Sequence, residues 1–148
     1  MAEVERVTRP LWRCPECERE FANRNQTHTC GLHTIEHHFE GKDPRIRALY
    51  DAFVRELERL GPFRILPEKT RIAFQVRMSF AQLTPRREFI DGHLVLARRL
   101  GLPVFRKVET FSKRNHVHHF RLVTAEDVLP LRDAIAEAYA VGEQRHLV

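Results

Sequence analysis

The residues with the most distinctive chemistry lie near the start, in CPECEREFANRNQTHTCG. Cys14 and Cys17 form a C-x2-C pair, and His28 and Cys30 lie two apart. A C-x2-C pair turns tightly enough for both thiolates to reach one ion, and residues two apart on an extended chain point to the same side. Ten residues separate Cys17 from His28, enough for a hairpin to bring the pairs together. Three thiolates and one imidazole make a closed tetrahedral zinc site, structural because no coordination position is left for catalysis. A second set, Cys14, Cys17, Cys30 and His33, fits the same rule, and His37 and His38 are weaker fourth donors. The odd number of cysteines speaks against a disulfide framework. CPEC also has the form of a redox dithiol, but no strand-then-helix pattern of thioredoxin type surrounds it.

The second chemical signal is a set of basic and histidine side chains. Arg71, Gln75 and Arg77 fall on the polar positions of one alternating run, Arg86 and Arg87 follow it, and Arg114 and Asn115 lead into HVHHF. Guanidinium and amide groups suit phosphate oxygens and base edges. Trp12 and Tyr50 are candidates for base stacking. In an extended HVHHF, His116 and His118 point one way and His119 the other. With His93 and Asp91 they are weak candidates for a second metal site or a general base. The bland reading of each such residue is a solvated cation on a sheet face. The later Asn and His of an HNH nuclease, the Asp and Glu-x-Lys of a PD-(D/E)xK nuclease, and the glycine loops of Walker and Rossmann sites are all missing from the sequence.

Two modules position these groups. Residues 1–40 hold few aliphatic side chains, chiefly Leu11, Leu32 and Ile35, with Trp12, Phe21 and Phe39 beside them. A segment this lean does not offset its ordering entropy by burial, so it needs a staple or a surface to dock on. Structural zinc, at an apparent ~10–16 kcal/mol, is such a staple. Residues 41–148 read as an α+β domain. Asp43 is an N-cap and Pro44 suits the first helical position, with Ile46, Leu49, Tyr50, Phe53, Val54, Leu57 and Leu60 on one face and Gly61-Pro62 as the stop. Strands are expected from Ile72 to Phe80, divided by a turn near Val76–Ser79, then over 88–97 and 115–123, with a short one within 104–111. Thr124 and Asp127 resemble a capping box ahead of a last helix over 128–141 with Leu131, Ile135 and Tyr139 inward. An early helix, an antiparallel or mixed sheet and a C-terminal helix result.

Composition bounds the function. The chain has 148 residues, 43% hydrophobic and 30% charged, with a net charge of +5. That charge is uneven: residues 1–40 carry −2, residues 41–124 carry +10 and residues 125–148 carry −3. A basic middle attracts phosphate-rich partners, although 21 of the 25 cations being Arg also fits a GC-rich genome. The longest stretch free of Lys, Arg, Asp and Glu, Asn25 to Ile35, is 11 residues and mostly polar, so no membrane partner is expected. The opening residues carry Glu3 and Glu5 and no apolar run, so a cytoplasmic location is the expectation.

Taken together, CPECEREFANRNQTHTCG, HFEGKDP, TRIAFQVRMSFA, RNHVHHFRL and AYAVGEQRHL resemble a bacterial family that carries the domain of unknown function 5655. The front segment looks like the zinc-finger-like extension of one branch, with Cys14, Cys17, His28 and Cys30 on its metal-type positions. The resemblance implies no activity. Some related domains occur beside restriction-type or nuclease modules, which associates them with nucleic acid without giving a mechanism. The reading from sequence is a non-enzymatic, zinc-containing nucleic-acid (polyanion) binder. Its alternatives are a small enzyme acting on a phosphorylated or nucleotide substrate through the late histidines, and a protein-interaction adaptor.

Overall fold

The computed structural model describes residues 10–15, 18, 20–22 and 33–145. Strands β1 (Trp12–Arg13) and β2 (Glu20–Phe21) pair antiparallel as a small hairpin. A 3-10 turn at Glu36–Phe39 leads to helix α1 (Pro44–Glu58). Asp43 caps α1 as expected, its carboxylate accepting from the Arg45 N–H at 2.8 Å. Six strands follow: β3 (Arg64–Pro67), β4 (Ile72–Gln75), β5 (Ser79–Pro85), β6 (Ile90–Leu96), β7 (Lys107–Ser112) and β8 (Asn115–Leu122). They form one sheet in the order β3-β4-β5-β6-β8-β7, antiparallel throughout. Among the described residues no helix is long and apolar enough to cross a membrane.

The end of the chain departs from expectation. A 3-10 segment runs over Ala125–Leu131, and the α-helix, α2, begins only at Arg132 and ends at Gly142. The capping box does form: Asp127 accepts from the Val123 and Thr124 N–H groups at 2.7 and 2.8 Å. Pro130 lies inside the first segment and has no N–H to give a continuous α-helix. Leu131, Ile135 and Tyr139 face inward all the same. Strand β3 was not foreseen. It is four residues long, bounded by proline, and too short to show an alternating pattern.

Both helices lie on one face of the sheet. That face presents Ile72, Phe74, Leu83, Ile90, Leu94, Leu96, Phe120 and Leu122, all buried and packed with Phe53, Leu57, Ile135 and Ala138 of the helices. Gly61 ends the α1 connection with φ 145°, and the Tyr139 hydroxyl beside it donates to the Pro62 carbonyl at 2.7 Å. Gly92 is required for a different reason. It sits mid-strand in β6, and a Cβ there would lie 2.5 Å from Phe120 Cζ and 2.8 Å from Leu83 Cδ2. Overpacking of this kind costs ~1–3 kcal/mol. Gly92→Ala is therefore expected to lower unfolding free energy by that amount in urea titrations. Gly101→Ala, where a Cβ meets nothing within 4 Å, should stay within about 0.5 kcal/mol of the parent.

Candidate functional site: a histidine pair in a cationic groove

Alternation along each strand sends the other set of side chains to the opposite, outer face of the sheet. Pairing then lines them up in rows. Ala73, Gln82, His93, His119 and Lys107 are consecutive partners across β4, β5, β6, β8 and β7. Thr84, Asp91 and Arg121 form the adjoining row, with Arg71 just ahead of β4. Gln82, His93, His119 and Lys107 of the first row and Thr84 and Asp91 of the second line a groove of about 510 Å³, with Arg71, Arg86 and Arg106.

At its centre the His93 and His119 rings meet edge to face, centroids 5.6 Å apart. The His119 Nε2–H donates to Glu109 Oε1 at 2.6 Å, which holds the Glu109 carboxyl below the usual carboxylate range. His93 is shifted further. Burial first, and then the neighbouring His119 and Arg71, push its pKa down to about 4, so it is neutral at physiological pH. Asp91 accepts from Arg121 Nε at 2.9 Å and from Arg86 Nε at 3.3 Å, and the Arg121 guanidinium lies 3.8 Å over the Phe89 ring. Lys107 Nζ leans on Glu109 at 3.5 Å. No carboxylate of the described residues pairs with Arg71 or Arg106. Gln82 Oε1 is buried without a hydrogen-bond partner among the described residues.

The structure sorts the residues singled out from sequence. Arg71, Arg86, Asp91, His93 and His119 converge on the groove. His116 and His118 face the other way, into the core side. His118 Nε2 accepts from the Leu100 N–H at 2.8 Å and its Nδ1 faces the His116 carbonyl at 2.9 Å, while burial lowers its pKa. His116 lies between Thr110 Oγ1 at 2.9 Å and the Lys113 carbonyl at 3.1 Å. Gln75 is buried, donating to the Glu20 carbonyl at 2.9 Å. Arg77 is outside the strand, in the turn after β4, where its Nε donates to Gln144 Oε1 at 2.9 Å. Its expected place beside Arg71 fails because the turn breaks the alternation. Arg87 lies exposed beside Arg86, and Arg114 and Asn115 are at the β7–β8 turn. Tyr50 is a core residue, not a stacking platform.

Sequence reasoning missed Arg106, Lys107, Glu109, Gln82 and Thr84. Of the expected zinc ligands, Cys14 is buried at the end of β1, and Cys17, His28 and Cys30 lie outside the described residues. Among the described residues no three His, Cys, Asp or Glu side chains are placed to hold a metal ion, so His93, Asp91 and His119 do not form such a group.

The depressed His93 pKa has a consequence for stability. Between about pH 4 and 6.5 the unfolded chain binds the His93 proton and the folded chain does not. Unfolding free energy therefore rises with pH across that window and is lost as pH falls through it. His93→Gln should flatten part of that slope, by ~2–3 kcal/mol at most on the scale of 1.36 kcal/mol per unit, as read by denaturant titrations from pH 4 to 7. His38 and His118, whose pKa values burial also lowers, and at the acid end Glu20 and Glu109, whose Arg64 and His119 partners lower theirs, contribute to the residual slope.

No curated protein and no solved structure matches this chain. A family model described as a domain of unknown function (DUF5655) matches residues 35–142, which run from the 3-10 turn before α1 to the last residue of α2 and include every strand of the sheet. The chain belongs to that family, and the groove is built wholly within its domain.

Proposed function

We propose that the outer-face groove binds the phosphate backbone of a nucleic acid. The observation that carries this reading is the placement of four cations on its two sides: Arg71 and Arg86 at the β4–β5 side, Arg106 and Lys107 on β7 and just before it. Three inter-strand spacings from β5 to β7 put about 14 Å between the two pairs, so a chain of phosphates laid across the strands meets cations at both ends. Asp91 and Glu109 offset part of this charge, since they pair with Arg86 and Lys107, and Arg71 and Arg106 are the two with no carboxylate partner among the described residues. The Gln82 amide N–H2 and the Thr84 hydroxyl, between the pairs, offer polar atoms to sugar or base edges.

Binding of this kind depends on counterion release. Fluorescence anisotropy with single-stranded DNA and RNA should give log affinity falling linearly with log salt. Arg71→Ala and Arg106→Ala should each reduce the slope by ~0.7–0.9, whereas Arg114→Ala, outside the groove, leaves it unchanged. Absence of binding at low salt removes the reading.

We also infer that the N-terminal hairpin is closed by one zinc held by Cys14, Cys17, His28 and Cys30. What supports this is the geometry of the described part. Cys14 is buried where β1 ends, Glu18 with φ 62° donates its N–H to the Cys14 carbonyl at 2.8 Å, and Phe21 packs 6.1 Å from Trp12. That is a tight turn of the kind a C-x2-C pair needs, and when bound, the metal would supply cross-linking alone. Metal analysis of the purified chain should find one zinc per molecule, and Cys14→Ser should lose it. His28→Ala and His33→Ala, compared side by side, identify the fourth donor by which one releases zinc to a chromogenic chelator.

A further inference from the structure

We propose that the groove cleaves single-stranded RNA by internal transphosphorylation, with His119 as the general base. This rests on the nucleic-acid reading above and adds a reaction to it.

The base is defined by its hydrogen bond. Because Glu109 accepts from His119 at Nε2, the neutral ring carries its proton there and its lone pair at Nδ1, which has no partner among the described residues. A carboxylate fixing one imidazole nitrogen while the other takes a proton is the arrangement that serves general-base catalysis, since the carboxylate balances the imidazolium that forms. Asp91 is unavailable for this task, held between Arg86 and Arg121.

The charge that develops at phosphorus also has partners in place. Lys107 is the cross-strand partner of His119, and the Arg106 N–H donates to the His119 carbonyl at 2.8 Å, so both side chains start beside the base. Preorganised cations of this kind stabilise a pentavalent phosphorane more than the ground-state diester. His93, on the other side of His119, makes no hydrogen bond within the described residues and presents a neutral ring to the same space. Its N–H can donate to a non-bridging oxygen.

The nucleophile follows from what the groove contains. It offers one base and an anion clamp. A ribose 2′-hydroxyl is tethered next to its own phosphorus, so proximity is already supplied by the substrate. In the step, the 2′-O–H proton passes to His119 Nδ1, the 2′-oxygen bonds to phosphorus and the bond from phosphorus to the 5′-oxygen breaks. The 5′-oxygen takes a proton from water, and the imidazolium returns its proton to the hydroxide left behind. The products are a 2′,3′-cyclic phosphate and a 5′-hydroxyl, with no redox change and no co-reactant.

The test uses the full chain and a labelled DNA oligonucleotide containing one ribose, read by gel and mass spectrometry. Cleavage is expected only after that ribose, leaving a cyclic phosphate. A 2′-O-methyl at the same sugar should abolish it, a control that needs no protein variant. His119→Ala should slow cleavage by at least ~100-fold, well beyond its effect on binding. Glu109→Gln should lower kcat with KM nearly unchanged, marking Glu109 as a positioning residue, and Arg114→Ala should change neither. Salt-dependent binding without cutting, cutting of the 2′-O-methyl strand, or undiminished cutting by a folded His119→Ala each overturns the inference and leaves the binding reading intact. Failure to bind either strand at low salt removes both.

Discussion

The site depends on one extra residue in the β7–β8 hairpin. From the turn, Ser112 pairs with Asn115, but Thr110, not Phe111, pairs with His116. Phe111 is the bulge, largely exposed at 69%. Beyond it the register runs Glu109 to Val117, Val108 to His118 and Lys107 to His119. Without the bulge every β7 residue would move one place and change faces. Lys107 and Glu109 would then point toward the helices and Val108 toward solvent. His119 would have neither the carboxylate that orients it nor the cation beside it. His116 helps to hold this register, since its ring spans Thr110 on one strand and the Lys113 carbonyl in the turn. The late histidine cluster thus divides its labour: His116 and His118 fix the backbone, and His119 faces the groove.

The two faces of β6 and β8 constrain each other. His93 and His119 are direct partners, and on the reverse side of the same two strands Gly92 is the partner of Phe120. Phe120 lies over the space a Gly92 side chain would fill and stacks on Phe53 of α1 at 6.0 Å. Packing between α1 and the sheet therefore sets how β6 lies against β8, and with it the separation of the two imidazoles. A side chain at Gly92 would act on the groove through the backbone, although it would point away from it.

Much of this fold was legible in the sequence, for identifiable reasons. Asp43-Pro44 marks the start of α1 because capping and fixed φ act locally. The strands at 90–96 and 115–122 show clean alternation because one face is buried and the other polar. His93 and His119 were visible as polar positions of those strands, and Arg71 and Arg86 as cations next to the earlier ones. Lys107, Glu109 and Arg106 were not, because their side depends on a bulge that no residue type announces, and because β7 joins at the sheet edge beyond β8. Arg77 falls inside the turn expected near Val76–Ser79 and so loses the side that alternation gives it: the backbone after Gln75 turns back to meet Gly142, whose carbonyl accepts from the Arg77 and Met78 N–H groups at 2.9 and 3.1 Å.

The N-terminal hairpin bears on where the groove lies. Leu66, Ala73 and Gln75 occupy outer-face positions of β3 and β4, yet all three are buried. Glu20 of β2 is at that end of the sheet. Its carboxylate pairs with Arg64 at 2.5 Å and its carbonyl accepts from Gln75. The Arg64 guanidinium also holds the Glu20 carboxyl below its usual range, as a hydrogen-bonded ion pair should. Outer-face polar residues at β3–β4 are thus spent on holding the hairpin, while those from β5 to β7 are left to define the groove. A cross-link that orders the hairpin would also order the contacts of Gln75 and Arg64. It would do so at one end of the same rows that carry Gln82, His93 and His119, and apart from the groove itself.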